Sequence, residues 1–457
     1  MASSSLSTAR ARASASGLRI FLAIFIGQIV SLTGSGMTRF ALLIWAYDQT
    51  RSASTVALLG FFTFLPLVIF SPIAGVLIDR WDRRLVLLVA DGLAGIGTVV
   101  LLLLYADGAL QLWHAFAYVG MTGALDAFQT PAFSAAVTVL TPPSQRGRIN
   151  GLRTVGFSLT RILAPALGAL VMGFGGLRAV IAIDLITFLA AYVTLMLVRV
   201  PAPTTSAAGQ AGRGSWRGEF AGAIAYLRAH RGLFYIMVIF TAVNFMASLT
   251  YLGVMPTMIL ARTGGDETTL AIVQGTIGAA ALVGAVAVTL WIKGARLVLW
   301  MVVGGALSFL LGDLLMGASQ ALPGWIIAAC VTEFFIPFMF NAQRTILANK
   351  VPPDLQGRVF AIDSTMRESL IPVGYLLAGF LADRVFEPAM MPGGSLAPIF
   401  GGIWGTGPGA GMGLMYLFTA LAGTLICIVA YLIPAIRHIE TDIPDYGVDD
   451  IRANEST

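Results

Sequence analysis

The sequence predicts an all-α polytopic membrane protein, with twelve transmembrane helices arranged as two parallel-repeat six-helix halves. Three observations lead there. The chain is 57% hydrophobic and 11% charged, with a mean hydropathy of +0.84, whereas soluble domains sit nearer half apolar and a quarter charged. Apolar runs of about 20 residues, enough to span the hydrocarbon core as a helix, recur from end to end. The loop TPPSQRGRI at 141–149 returns as VPPDLQGRV at 351–359. A chain so poor in charge cannot cover a water-facing surface, so most of its outside faces lipid. A membrane barrel would show short alternating segments instead, and none is present.

Spans are read at 18–46, 54–78, 85–106, 110–139, 151–173 and 177–199, then at 233–261, 269–292, 297–317, 321–349, 358–385 and 411–435. Twelve spans put both termini on one side. Connections on that side hold Arg19, Arg80, Arg83, Arg84, Arg146, Arg148, the run from Arg199 to Arg231, Lys293, Arg296, Lys350, Arg358 and Arg437. The opposite connections hold one arginine each: Arg51, Arg178, Arg262 and Arg384. Positive charge concentrates on the cytoplasmic side of membrane proteins, so both termini are expected in the cytoplasm of a multi-pass cell-membrane (inner, plasma) protein.

Residues 1–17 lack acids and read as a short disordered cytoplasmic tail, with a transit-peptide flavour as the alternative. Residues 200–232 divide the chain. PAPTTSAAGQAGRGS reads as a flexible linker. Trp216, Phe220, Ile224 and Leu227 then share one helical face beside arginines, the pattern of a helix lying in the membrane interface. The N-terminal bundle is thus 18–199, the C-terminal bundle 233–435, and 436–457 a cytoplasmic tail. The halves are related, because Pro142, Pro143, Gly147 and Arg148 recur 210 positions on, after the fourth span of each half. An even number of spans separates the copies, so the repeat is parallel, about an axis along the membrane normal. The same offset carries Arg83 to Lys293.

One loop carries a recognisable pattern. GVLIDRWDRR, between spans two and three, places Gly75, Asp79, Arg80, Arg83 and Arg84 as G-x-x-x-D-R-x-x-R-R. With twelve spans in parallel halves, this resembles the major facilitator superfamily. DAFQTPAF (126–133), VPPDLQGRVFA (351–361), LADRVFEPAM (381–390) and GTGPGAGMG (405–413) are similar to the branch of macrolide-efflux and enterobactin-exporter permeases, and to permeases encoded beside peptide-synthetase clusters. The resemblance implies the major facilitator fold, secondary transport, and a conformational latch formed by Gly75, Asp79, Arg80, Arg83 and Arg84. The stretch APALGA at 164–169 is a degraded likeness of a drug/proton antiporter motif. Physically, Pro165 bends the helix and Gly168 allows a neighbouring helix close approach, which ordinary small-residue packing also explains.

The energy source follows by exclusion. Lys293 and Lys350 are the two lysines, and neither sits in a G-x-x-x-x-G-K-[ST] loop that could hold ATP. No G-x-S-x-G or H-E-x-x-H motif occurs, and His114, His230 and His438 lie far apart, so no enzyme is expected. Cys330 and Cys427 lie inside apolar runs and read as packing residues. No cofactor, metal or nucleic acid is implied. The expected partners are the bilayer, protons and a small-molecule substrate, with the chain acting as a monomer.

Charges within spans cost about 2.5–3.5 kcal/mol each, so each needs a reason. Asp126 lies about 18 Å down span four, near mid-membrane, and Arg161 about 12 Å into span five, within pairing reach. Glu333 lies about 12 Å into span ten, with Arg344 nearer the cytoplasm. Glu368 lies about 15 Å into span eleven, above the one-turn pair Asp363/Arg367. Asp126, Glu333 and Glu368 are the proton-coupling candidates. Burial favours a protonated carboxyl and a neighbouring arginine the ionised one, so alternating access between those settings would load and unload a proton. Taken singly, each reads more readily as a fixed ion pair that orders helices, Asp363/Arg367 most of all. Arg39, about 30 Å along span one, either snorkels to the outer face or attracts an anionic substrate. Gln28, Asn244 and Gln274 are further cavity candidates. Asp184 and Asp313 remain unassigned, and 386–413 reads as an ordered loop or an outer lid.

The resulting expectation is a secondary active exporter of an amphipathic drug, macrolide-like compound, siderophore or peptide natural product. Substrate would bind between the halves, which rock around it in exchange for protons. A lysophospholipid-type or uptake carrier, or a non-transporting scaffold or receptor, are the alternatives.

Overall fold

A computed structural model describes residues 2–78, 81–141, 145–197, 216–291 and 296–446. Long apolar runs with few internal breakers satisfy their backbone groups within helices, the arrangement lipid demands of an unpaired segment. The first group is α1 (Ala2–Thr50), α2 (Ala53–Ile78), α3 (Arg83–Ala106), α4 (Leu112–Leu140) and α5 (Arg146–Leu197). Next come α6 (Trp216–Ala229), α7 (Arg231–Leu249), α8 (Met255–Arg262) and α9 (Glu267–Trp291). The last group is α10 (Leu297–Ala318), α11 (Leu322–Lys350), α12 (Pro353–Met390), α13 (Ala397–Trp404), α14 (Ala410–Leu432), α15 (Pro434–Arg437) and α16 (Ile439–Asp442).

Ten helical stretches among the described residues are long and apolar enough to cross a membrane. One of them, 51 residues from Gly147 to Leu197, would measure about 76 Å, more than twice the hydrocarbon thickness. Gly176 interrupts it, with φ 62° and ψ −170°, a conformation open to glycine alone, so two spans share this stretch. The 29-residue α4 is long enough but carries Asp126, His114 and several small polar residues, which dilute its hydropathy. With these two adjustments the twelve expected spans are accounted for. α1 continues back to Ala2, where a disordered tail was expected; Ala, Leu, Arg and Ser make that stretch compatible with helix.

The chain divides into two compact units: Met1–Thr50 with Phe62–Thr204, and Arg51–Phe61 with Thr205–Thr457. The first turns of α2 therefore belong with the second unit. In the first unit α1 packs along α5, and α3 against α4 and α5. Phe21, Phe25, Val86, Phe133, Val137 and Leu195 form its main apolar cluster, at the end where α3 begins and α4 finishes. In the second unit, α7, α10, α11 and α14 enclose Leu233, Phe240, Met301, Ile346 and Cys427. Large side chains on outward faces, such as Ile96, Leu170 and Ile186, are more than 60% exposed, where lipid solvates them.

The C-terminal segment is fastened to the second unit. Lys350 is 4% exposed and donates to the carbonyls of Glu440 (2.7 Å) and Ile443, and to the Asp445 carboxylate (2.9 Å). Glu440 in turn accepts from the Arg296 and Leu297 amides at the start of α10. The face expected to join Ile224 to Leu227 splits: Ile224 is exposed, and Leu227 packs inward with Ala223 and Tyr226. The side chains of Trp216 and Phe220 lie outside the described residues, as do 198–215 of the linker.

Candidate functional site

Polar residues on α1 recur at Gln28, Ser35 and Arg39, seven and then four residues apart, so they share one stripe of that helix. Each meets an acid on a neighbouring helix of the first unit. Gln28 Nε2 donates to Asp91 Oδ2 of α3 at 3.2 Å, and Gln129 Nε2 of α4 donates to Asp91 Oδ1 at 2.7 Å. Ser35 and Thr38 hydroxyls donate to the two oxygens of Asp184 on α5, at 3.1 and 2.8 Å. Arg39 Nη1 lies 3.4 Å from Asp126 Oδ2 of α4, both side chains 34% exposed. Tyr118 and Thr98 hydroxyls share a buried bond at 3.2 Å.

Asp126 thus has Arg39 as its ion-pair partner, where Arg161 was expected. Arg161 is exposed, because α5 turns that face away. Arg39 correspondingly neither snorkels to a membrane surface nor stands free. Asp91 and Gln129 are absent from the sequence-based candidates. Both were visible there, Asp91 as an acid after six apolar residues of span three and Gln129 within DAFQTPAF.

The second unit carries its polar groups differently. Gln343 Nε2 of α11 donates to Asp363 Oδ1 of α12 at 2.7 Å, and Arg367 lies 3.8 Å from Asp363 Oδ2, one turn along the same helix. Positions 343 and 363 match 133 and 153 of the first half. There Arg153 stands over the Phe133 ring at 5.4 Å and donates to Ser134, so the repeat keeps the helix contact and changes its chemistry. Asp313 is 2% exposed and accepts from Thr419 at 2.7 Å. Glu333 is buried, Glu368 half-buried and Arg344 exposed. Asn244 is spent on its own helix, donating to the Phe240 carbonyl, and Gln274 is half-buried.

Among the latch residues, Asp79 and Arg80 lie outside the described residues, and Gly75 has open space around it. Arg83 donates to the Ala135 carbonyl near the end of α4, and Arg84 to that of Met196 in the last turn of α5. The Met196 carbonyl lies at the C-terminal end of α5, where carbonyls go unpaired and the dipole favours a cation, and together the two arginines tie α3 to its neighbours. Asp82 caps α3, accepting from the Arg84 and Leu85 amides. Near Pro165, Gly168 lies against Met37 and Phe40 of α1, and Gly36 faces Ala164, the close approach expected of that stretch.

The 386–413 segment is ordered by two ions. Glu387 accepts from the Gly409 and Met412 amides at 3.0 and 2.8 Å. Arg262 donates to the carbonyls of Gly317, Ser319, Trp404 and Gly409. Burial presses the Arg262 guanidinium down to about 10. Gly409 has φ 84°, and a side chain there would collide with Arg262.

These features occur in a chain whose residues 24–375 match the Major Facilitator Superfamily model. The chain belongs to the major facilitator superfamily. It is a multi-pass membrane transporter of that family, not an enzyme. Macrolide efflux protein A of Streptococcus pyogenes is 26% identical over 370 residues, covering 80% of this chain and 90% of that protein. Enterobactin exporter EntS of Salmonella typhi is 30% identical over 193 residues, covering 40% of this chain and 44% of the exporter. The fold matches a bacterial homologue of the human lysosomal transporter Spinster, with TM-score 0.66 at 16% identity over 94% of this chain and 99% of that one. Nucleoside transporter NupG gives TM-score 0.63 at 11% identity, over 90% of this chain and 98% of that one. At such identities the likeness concerns the fold alone.

Proposed function

We propose that this major facilitator exports an amphipathic small molecule by alternating access in exchange for protons, with both termini in the cytoplasm. The observation that carries the reading is the Arg39–Asp126 pair. Opposite charges sit in two membrane helices, where each costs a few kcal/mol, and they are left accessible rather than sealed. Protonation of Asp126 releases Arg39, and loss of the proton restores the pair. A substrate with a charged or polar group competes for one partner, so substrate and proton exclude each other, as antiport requires. The names of the macrolide and enterobactin relatives support outward transport of amphipathic natural products. The concentration of arginine in alternate loops supports the orientation.

The test uses inside-out membrane vesicles and radiolabelled erythromycin as the probe. Vesicles containing the protein should accumulate erythromycin when their interior is acidified and lose it when an uncoupler is added. Accumulation that survives the uncoupler would overturn proton antiport.

A further inference from the structure

Asp91 is a second carboxylate within the first unit, and the Arg39–Asp126 pair does not account for it. It is 7% exposed, and among the described residues it makes no ion pair. Both oxygens are instead held by carboxamides, Gln28 on one side and Gln129 on the other. A carboxamide suits either state of an acid. Its NH2 donates to a carboxylate, and after rotation its carbonyl accepts from a carboxyl O–H. A guanidinium has no acceptor and satisfies the ionised form alone. The site is therefore built to keep its bonds whether or not Asp91 carries a proton.

The site also has a neighbour and an approach. Gln129 lies three residues from Asp126 on α4, a rise of about 4.5 Å, so the amide that holds Asp91 and the acid that pairs with Arg39 stand one turn apart on the same helix. Gln28 and Gln129 are themselves part-exposed, so Asp91 is reached past polar groups. Asp184 and Asp313 also have hydroxyl partners, but they are sealed at 1% and 2% exposure. The charged group nearest this site on a packed helix is Asp126 on α4, itself paired with Arg39 of α1, and the Tyr192 phenol of α5 lies against the adjacent Gly92.

We infer that Asp91, cradled by Gln28 and Gln129, holds the coupling proton while Asp126 is paired with Arg39, and passes it to Asp126 when that pair opens. In the transfer the O–H bond of Asp91 breaks and one forms on Asp126, so one carboxylate and one carboxyl are present before and after. The inference rests on the proton-antiport reading and adds a second proton-carrying residue to it.

Two measurements test it. The first needs no substrate: infrared spectra of purified protein in lipid nanodiscs across a pH series. A carbonyl-stretch band of a protonated carboxyl should be present in the wild type, vanish in Asp91→Asn and return in Asp91→Glu. A band unchanged by Asp91→Asn, or no such band, overturns the inference. The second compares gradient-driven uptake with gradient-free exchange of labelled erythromycin in proteoliposomes. Asp91→Asn should depress gradient-driven uptake about tenfold more than exchange, and Asp91→Glu should recover part of it. Equal loss in both, or no loss, overturns it. If the wild type ignores the gradient altogether, the antiport reading fails, while the infrared band still decides whether Asp91 holds a proton.

Discussion

Asp126 and Arg39 face each other across α1 and α4 at 3.4 Å, and each is partly accessible. Removing the acid leaves a guanidinium without its counter-charge and takes away the group it alternates with. Asp126→Asn should insert normally yet lower gradient-driven erythromycin transport by about tenfold or more, about 1.4 kcal/mol in the barrier. Wild-type transport by this variant would make the pair a fixture of packing. Asp313 offers a purely structural contrast, since Thr419→Val removes the hydroxyl 2.7 Å from a carboxylate that is 2% exposed. A loss of about 1–3 kcal/mol is expected, seen as a lower melting temperature in detergent. Asp266, in the turn before α9, shows the pH dependence of an exposed acid. The Thr269 hydroxyl above all, and nearby amides, hold its carboxyl below the usual range. Its contribution is complete above the unfolded value near 3.9 and is lost as pH falls through the lower folded value. Asp266→Ala should therefore cost about 1 kcal/mol at neutral pH, a gap in melting temperature that narrows only below about pH 4. At this scale the charged positions inside the spans were legible, because each interrupts an apolar run. Partnership was not: Arg161 was the partner expected for Asp126 and Arg39 was placed toward the outer face, yet Arg39 is the residue that meets Asp126.

Helices in this protein are held by contacts that periodicity does not encode. Asp383, on a wide π turn of α12, accepts from Ser52 Oγ at 2.6 Å and from the Ala53 and Ser54 amides at 2.9 Å. It supplies from a distant helix the acceptor that the first turn of α2 needs, and its charge suits the positive end of the dipole. Gly379 and Gly60 let α12 and α2 meet, against Ser54 and Tyr375 respectively. Asp383→Ala should cost about 0.5–2 kcal/mol in thermal unfolding, the range for losing a helix cap. No change would mean that other groups satisfy α2. Gly123 shows the packing limit within the first unit, since a Cβ there would stand 2.1 Å from the Thr63 carbonyl oxygen. Gly123→Leu should force α4 from α2 and cost about 1–3 kcal/mol, which normal melting would refute. The spans themselves were readable from hydropathy. The π turns in α10 and α12 were not, because hydropathy reports apolar length and not the register of backbone hydrogen bonds.

Across the whole chain, hydropathy and one repeated loop sufficed to predict a duplicated helical membrane protein, the resemblance of GVLIDRWDRR implied a transporter, and the family match agrees. The two halves have diverged in their polar groups. The first half links Asp91, Asp126 and Arg39 through α1, α3 and α4, while the second holds the fixed Gln343–Asp363–Arg367 group. Two glutamines that reach one acid from separate helices give no periodic signal, so the Asp91 site is assembled only in the fold although its residues stand in the sequence. Antiport by this machinery requires that substrate movement drive protons the other way. The measurement is made in proteoliposomes with a trapped pH dye and an imposed erythromycin gradient. Downhill erythromycin flow should move protons in the opposite direction, and Asp126→Asn should abolish that proton movement. Erythromycin flow with no change in internal pH would contradict proton antiport.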